Sequence, residues 1–182
     1  SNASNPLTDS LCREAIPRVA RALPRAFRNG SDSRAREDLA LGSLFSGLAL
    51  ANARLGAVHG LAGTLGGMFP APHGAVCARL LPLVFEANAQ ALRSRNPLSP
   101  VLDRLAETAR LLTGKASATP EDAVNRLQSL CSDLCIPSLS AFGVTSGDIP
   151  VVAARARKAS SMKGNPVPLT DEELGEILLR AL

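Results

Sequence analysis

The sequence predicts an all-α fold, a single multi-helix domain of about seven or eight helices. Hydrophobic residues recur three or four positions apart in almost every segment, and no segment shows the apolar–polar alternation of a β-strand. The 182 residues are 46% hydrophobic and 20% charged, a composition that supports one hydrophobic core and excludes wholesale disorder.

The first helix is predicted to begin at Asn5 or Thr8, either of which can cap it through a side-chain oxygen. Pro17 and Pro24 follow within the same segment. Because proline lacks an N–H group and clashes with the preceding turn, we expect kinks here, or two short helical pieces.

The second helix is predicted to begin at Asp32 or Ser33, directly after a turn over residues 29–32. Its apolar side chains recur at the helical interval: Leu41, Leu44, Phe45 and Leu48. The later part is rich in Ala and Gly, which allow neighbouring backbones to approach closely. We therefore expect this helix to be the buried central helix of the domain.

The remaining helices are indicated by apolar periodicity and by capping residues. Residues 74–93 are apolar on nearly all sides, which predicts a helix surrounded by others. Two amphipathic helices follow, the first ending at Gly114 and the second capped by Thr119. After a loop, Asp148 is expected to start another helix, and Thr170 opens a capping box for the last one.

Charge and aromatic content exclude several classes of partner. The net charge of +4 comes from 20 basic and 16 acidic side chains, with no block of five like charges. There are five Phe, no Tyr and no Trp, so stacking platforms for nucleic acid are not expected. The longest uncharged run, residues 55–78, contains six Gly, two Pro and two His, which argues against a transmembrane helix.

The ends of the chain and its cysteines point to one cytoplasmic domain. Residues 1–3, Ser1-Asn2-Ala3, precede no Met and look like the remnant of an expression tag, which leaves residues 4–182 as the domain. The four cysteines form no CxxC pair and no zinc-finger spacing, although Cys131 and Cys135 are predicted to share a helix face. They are interpreted as small buried side chains in a reducing cytoplasm.

The two histidines of the chain, His59 and His73, both lie in the long uncharged run. Imidazole is the commonest side-chain ligand for mid-row divalent metals. Gly66-Gly67 permits sharp backbone angles, and Pro70 and Pro72 stop a helix, so the chain is expected to fold back and bring the two rings together. Two histidines make an incomplete site, whose other ligands would have to come from another segment. Purely structural histidines remain the alternative.

A family resemblance is strongest around these histidines. Residues 56–82, GAVHGLAGTLGGMFPAPHGAVCARLLP, resemble the second signature of the iron-containing alcohol dehydrogenases. Shorter segments are similar to the same family: NPLTD at 5–9, FGV at 142–144, DIP at 148–150, NP at 165–166 and PLT at 168–170. The resemblance therefore covers nearly the whole chain after residue 3.

The resemblance implies one half of a two-domain enzyme. In that family an N-terminal α/β domain binds the nicotinamide cofactor, NAD or NADP, and an all-helical domain holds the metal. Its four ligands are an Asp and a His four residues apart on an upstream helix, followed by two later histidines, which His59 and His73 match. The Asp-x-x-x-His pair would lie just before Asn5, so the natural protein is expected to continue upstream. The metal is expected to be iron, with zinc as the alternative.

The implied reaction interconverts alcohols and aldehydes or ketones. With half of the ligands and no nicotinamide site, the fragment is expected to be inactive and to bind metal weakly or not at all. An apolar face left exposed makes a homodimer an expected assembly. A maleylacetate-reductase-like enzyme and a stand-alone helical interaction module with structural histidines remain alternative hypotheses.

Two positions depart from the family pattern. Many members carry another histidine four residues after the first of the two, where this chain has Gly63. The family's proton relay and substrate preference therefore do not carry over at that position. Ser161 aligns where relatives often have a Cys that lines the cleft.

Overall fold

A computed structural model describes residues 1–182 as eight α-helices and three short 3-10 helices, without a strand. This confirms the all-α prediction. The α-helices are α1 (Pro6–Arg28), α2 (Ser33–Asn52), α3 (Ala57–Met68), α4 (His73–Arg95), α5 (Val101–Thr113), α6 (Pro120–Asp133), α7 (Ile149–Arg157) and α8 (Asp171–Ala181). The 3-10 helices are Leu139–Phe142, Ser146–Asp148 and Ser160–Gly164, two of them within the segment expected to be a loop.

Side-chain caps fix the beginnings of four helices where the sequence predicts them. Asn5 caps α1 by accepting the N–H of Thr8, and the Thr8 hydroxyl accepts the N–H of Asn5 in return. Asp32 caps α2, and Thr119 and Thr170 open reciprocal capping boxes on α6 and α8. The two candidates for the first cap thus act together rather than as alternatives.

Helix α1 runs unbroken through Pro17 and Pro24, so the expectation of two short pieces is wrong. Each interior proline costs a helix about 3 kcal/mol or more. Extensive packing against α2 offsets that cost: the Val19 side chain of α1 packs directly on Gly42 of α2, where an added Cβ would lie 2.4 Å from Val19 Cγ2. Arg18 adds an ion pair to Asp38 of α2 at 2.7 Å.

Helix α2 is not the buried central helix that the sequence predicts. It packs against α1 and against no other helix to a comparable extent, and Leu44 and Leu48 are 56% and 44% exposed. The small residues on its buried stripe, Ala35, Gly42 and Ala49, fit the narrow contact with α1. The small residues of α2 therefore indicate close packing against one helix, α1, and not a central position in the domain.

The central helix is α4, which contacts α3, α5, α6 and α8 and confirms the prediction of a surrounded helix at residues 74–93. The main core lies between α3, α4, α7 and α8, where Leu61, Leu80, Leu174 and Leu178 are almost completely buried. A smaller cluster around Phe85 fills the space between α4, α5 and α6.

Asn2 links the N-terminus of the chain to the 3-10 helix Ser160–Gly164 by two hydrogen bonds. Asn2 donates its backbone N–H to the carbonyl of Gly164 at 3.0 Å and its side-chain amide to the carbonyl of Lys163 at 2.8 Å. The assignment of residues 1–3 to a tag stays a prediction.

Taken singly, none of the helices combines the length and hydropathy of a bilayer crossing, although α2 and α3, bent by 97° at their junction, meet both criteria together.

The prediction that Cys131 and Cys135 share a helix face is wrong. Helix α6 ends at Asp133, and Cys135 lies beyond it with a left-handed φ of 53°. The Cys131 thiol is half-buried and donates to the carbonyl of Ala78 at 3.2 Å, whereas Cys135 is exposed. The interpretation of every cysteine as a buried side chain therefore fails for Cys135.

Candidate metal centre

The two histidines occupy the first turns of consecutive helices. His59 lies in the first turn of α3, and His73 is the first residue of α4. The connection turns at Phe69, whose N–H donates to the carbonyl of Leu65, and the N–H of Ala71 then donates to the carbonyl of Phe69 at 2.8 Å. Since proline at 70 and 72 prevents α3 from continuing, the chain leaves its helical path here and returns towards the start of α3.

The expected role of Gly66 and Gly67 in this reversal is wrong. Both glycines lie inside α3, and neither has a positive φ. The reversal is made over residues 69–72, after the helix has ended. The prolines therefore supply the turn signal, and the two glycines are ordinary members of the helix.

The reversal brings the two imidazole rings together, as the sequence predicts. Their centroids are 5.5 Å apart and their planes are inclined by 52°. His59 is partly buried and His73 is exposed. The pair therefore lies at the protein surface with one side open to solvent, rather than in separate apolar pockets.

Cys77 is a third donor at the same place, and sequence analysis missed it. Its Sγ lies 3.4 Å from His73 Nε2, and the donor atoms of His59, His73 and Cys77 all lie within 4.8 Å of one another. The available signal was the His-x-x-x-Cys spacing, because residues four apart project from the same face of a helix. Cys77 was missed as a donor because all four cysteines were interpreted as buried packing residues.

Burial and charge set the protonation of the cluster. Burial lowers the pKa of His59, and electrostatic repulsion from the His73 ring lowers it further. Burial also raises the pKa of the Cys77 thiol. His59 thus favours the neutral imidazole, which is the form that offers a lone pair to a metal.

A buried asparagine holds the start of α3 in position. Asn165 Oδ1 accepts the backbone N–H of Ala57 at 3.0 Å, two residues before His59. Its Nδ2 donates to Asn88 Oδ1 of α4 at 2.6 Å and to the carbonyl of Val167 at 2.7 Å. One side chain therefore links the two helices that present the metal-binding candidates.

Close backbone approach reinforces this link. A Cβ on Gly164 would lie 1.7 Å from the carbonyl oxygen of Leu55, and a Cβ on Gly56 would lie 2.9 Å from Asn165 Oδ1. Only glycine leaves room for these contacts. The 3-10 helix Ser160–Gly164, which contains Ser161, is thereby packed against the beginning of α3.

Gly63 has space for a side chain. It lies one turn after His59 on the same face of α3, and an added Cβ would meet no atom within 4 Å. The departure from the family pattern therefore leaves an open surface beside His59, rather than a cavity filled by another group.

The donor set suits a divalent metal. Imidazole nitrogen is a good ligand for iron and zinc, and a thiol close to two imidazoles adds a donor that zinc prefers. No carboxylate belongs to the cluster. The open side leaves room for ligands from outside this chain, so the residues present fit a metal whose coordination is completed elsewhere.

Comparison with known proteins identifies the family. The family model for the C-terminal part of the Fe-containing alcohol dehydrogenases matches residues 1–182. Alcohol dehydrogenase 4 of Saccharomyces cerevisiae is 36% identical over 182 residues, which cover 100% of this chain and 46% of the yeast protein. The chain spans about half the length of the curated relatives it matches.

Solved structures agree with this match. The crystal structure of a 1,3-propanediol oxidoreductase superposes with a TM-score of 0.89 and 34% identity, covering 100% of this chain and 47% of that one. A maleylacetate reductase from Rhizobium sp. strain MTP-10005 superposes with a TM-score of 0.79 and 28% identity, covering 98% of this chain and 46% of that one. This chain belongs to the Fe-containing alcohol dehydrogenase family, of which it has the all-α C-terminal domain.

Proposed function

We propose that this chain is the metal-binding part of an NAD(P)-dependent oxidoreductase that interconverts alcohols and aldehydes or ketones. The observation that carries the proposal is the approach of His59 and His73, with ring centroids 5.5 Å apart, in a member of this family. Relatives named as alcohol dehydrogenases and a propanediol oxidoreductase support the reaction class.

His59 and His73 are proposed to hold a divalent cation, iron or alternatively zinc, as neutral ligands. When bound, such a cation supplies Lewis-acid chemistry at an alcohol or carbonyl oxygen. Burial and the neighbouring His73 ring lower the pKa of His59, which favours the neutral form that this task requires. Neither ring has a carboxylate in the cluster to orient it as a proton carrier, so we assign them no acid–base role.

The rest of the enzyme is proposed to lie outside residues 4–182. An upstream α/β domain would bind the nicotinamide, and an Asp-x-x-x-His helix would add two ligands from the exposed side of His73. On this proposal the isolated chain has no dehydrogenase activity, because it lacks the hydride acceptor.

The test uses the full-length protein supplied with iron or zinc. We expect NAD(P)-dependent oxidation of simple alcohols, and a loss of at least about 100-fold in kcat/KM with His59→Ala or His73→Ala. The matched control is Asn125→Ala on the exposed surface of α6, which should leave activity unchanged. Full activity in both histidine variants would refute the proposed metal site.

Substrate and metal content separate the alternatives. Reduction of maleylacetate in preference to simple aldehydes would favour the maleylacetate-reductase-like reaction, whose known representative shares this fold. Absence of metal and of any nicotinamide-dependent reaction in the full-length protein would favour a helical interaction module with structural histidines.

The expected homodimer has a specific surface to test. The exposed leucines of α2, among them Leu44 and Leu48, form an apolar face on the outside of the domain. We expect sedimentation to show concentration-dependent dimers, and Leu44→Glu together with Leu48→Glu to yield monomers. Monomers at every concentration of the unchanged protein would contradict the homodimer.

A further inference from the structure

Cys77 is the one nucleophilic or metal-binding side chain of the cluster to which the proposed function gives no task. It lies one turn after His73 on α4 and is half-buried, whereas Cys135 is exposed and distant along the chain. We propose that Cys77 is a third metal ligand, so that this chain holds zinc or another thiolate-binding divalent cation in a His₂Cys site. The inference rests on the proposed function, because it shares His59 and His73 with it.

The distance between the His73 and Cys77 donors fits joint coordination. Tetrahedral zinc, with bonds of about 2.3 Å to sulfur and about 2.0–2.1 Å to nitrogen, separates such donors by about 3.6 Å. Cys77 Sγ and His73 Nε2 are 3.4 Å apart. The two side chains therefore span one edge of a zinc tetrahedron without any change in α4.

His59 completes a triangle of donors. All three ligand atoms already lie within 4.8 Å of one another, and the ring of His73 is exposed to solvent. Since Asn165 fixes the start of α3 against α4, closure of the remaining gap requires side-chain rotation rather than backbone movement. In the isolated chain, three protein ligands would leave a tetrahedral zinc ion with one open position.

The sulfur donor determines which metal the chain prefers. Thiolate is a soft ligand, and together with imidazole it favours zinc and cobalt over hard cations such as magnesium and calcium. On binding, the Cys77 thiol releases its proton to solvent and donates through the thiolate. The proposal replaces the expectation of weak binding, which considered two ligands only, with measurable zinc affinity in the chain by itself.

The competing interpretation is a simple hydrogen bond. A Cys77 thiol at 3.4 Å from His73 Nε2 satisfies both groups without a metal. The two interpretations differ in what happens when a spectroscopically visible cation is added.

The test is titration of the reduced 182-residue chain with Co²⁺ in place of zinc. We expect one equivalent to bind and to produce a thiolate-to-cobalt charge-transfer band in the near ultraviolet. Cys77→Ser should abolish that band and weaken zinc binding by at least about 100-fold, measured by competition with a chromophoric chelator. Cys135→Ser, which removes an exposed thiol outside the cluster, is the matched control and should change neither quantity.

Each outcome separates this inference from the proposed function. Cobalt bound without a charge-transfer band, but lost in His59→Ala and His73→Ala, would overturn the role of Cys77 and leave the histidine site standing. A band that survives Cys77→Ser, or no cobalt binding by the folded chain, would likewise overturn it. The proposed dehydrogenase is judged by the activity of the full-length protein and does not depend on this titration.

Discussion

The core formed by α3, α4, α7 and α8 and the pair formed by α1 and α2 are both helical, but different interactions stabilise them. In the core, large side chains such as Leu61 and Leu174 are completely buried. In the pair, the buried residues are small, chiefly alanine and glycine, and ion pairs such as Arg18–Asp38 join the two helices. Because burial stabilises in proportion to apolar area, each buried leucine of the core contributes more to stability than each buried alanine of the pair.

The metal-binding candidates belong to the strongly packed region. His59 and His73 begin the two core helices α3 and α4, and Asn165 ties those helices together. A metal site needs donors held within a fraction of an ångström, which a rigid scaffold provides better than a loosely packed helix pair. The comparison teaches that position within the core, rather than the number of apolar residues, makes a segment suitable for a site.

The largest expected effect comes from filling the closest backbone contact of the core. Gly164→Ala would place a Cβ 1.7 Å from the carbonyl oxygen of Leu55, so the backbone must move. We expect the free energy of unfolding to fall by more than about 3 kcal/mol, measured by chemical denaturation. Gly63→Ala is the control, since its Cβ meets nothing within 4 Å and alanine favours the helix by about 0.5–1 kcal/mol.

Equal truncations in the two regions test the comparison directly. Leu174→Ala, in α8 of the core, should lower the free energy of unfolding by about 2–5 kcal/mol, because it leaves a cavity at a fully buried position. Leu48→Ala, on the 44% exposed face of α2, should cost less than about 1 kcal/mol. Similar losses in a urea titration of both variants would show that the two regions are packed alike.

The buried amide network is the next largest effect. Asn165→Ala removes the acceptor of the Ala57 N–H and the partner of Asn88, leaving buried groups without hydrogen bonds. We expect a loss of about 1–3 kcal/mol in stability, together with weaker binding of Co²⁺ as His59 loses its anchor. Asn125→Ala on exposed α6 should change stability by no more than about 0.5 kcal/mol. Unchanged stability of Asn165→Ala would contradict the role given to this amide.

The smallest expected effect concerns the ion pair between α1 and α5. Arg104 donates to Asp9 at 2.5 and 2.9 Å and lowers the pKa of that carboxyl group. A double-mutant cycle with Asp9→Asn and Arg104→Gln should give a coupling below about 1 kcal/mol, because the arginine is well exposed.

The sign of the pH dependence follows from the lowered pKa of Asp9. The folded state binds a proton to this carboxylate less readily than the unfolded state does, so the coupling is present above the ordinary carboxyl pKa of about 4. It should disappear as the pH falls through the lowered pKa. A coupling that grows on acidification would show that another group controls this contact.

Local signals in the sequence were sufficient for much of the fold. Helices α2, α6 and α8 begin at side-chain caps that the sequence predicts: Asp32, Thr119 and Thr170. Helix α5 ends at Gly114, whose φ of 74° is a conformation that glycine adopts without strain. The approach of the two histidines was predictable as well, because the prolines between them end one helix before the next begins.

Nonlocal packing explains what could not be predicted. The continuity of α1 through Pro17 depends on its contact with α2, and the exposure of α2 depends on having no helix on its outer side. Cys77 is a different case: its spacing of four residues from His73 was a local signal, which was missed because the four cysteines were interpreted together as packing residues. The hydrophobic periodicity of a single segment predicts neither the continuity of α1 nor the exposure of α2.

By itself, the sequence determined the helical elements, their capped ends and the family, because these depend on interactions between residues near one another in the chain and on a local motif that resembles the family's signature. Tertiary structure alone decided that α2 lies at the edge of the domain, which apolar faces remain exposed and how close Cys77 comes to the two histidines. Those outcomes depend on how surfaces far apart in the chain compete for burial, since each helix can bury an apolar face only where a complementary neighbour is present.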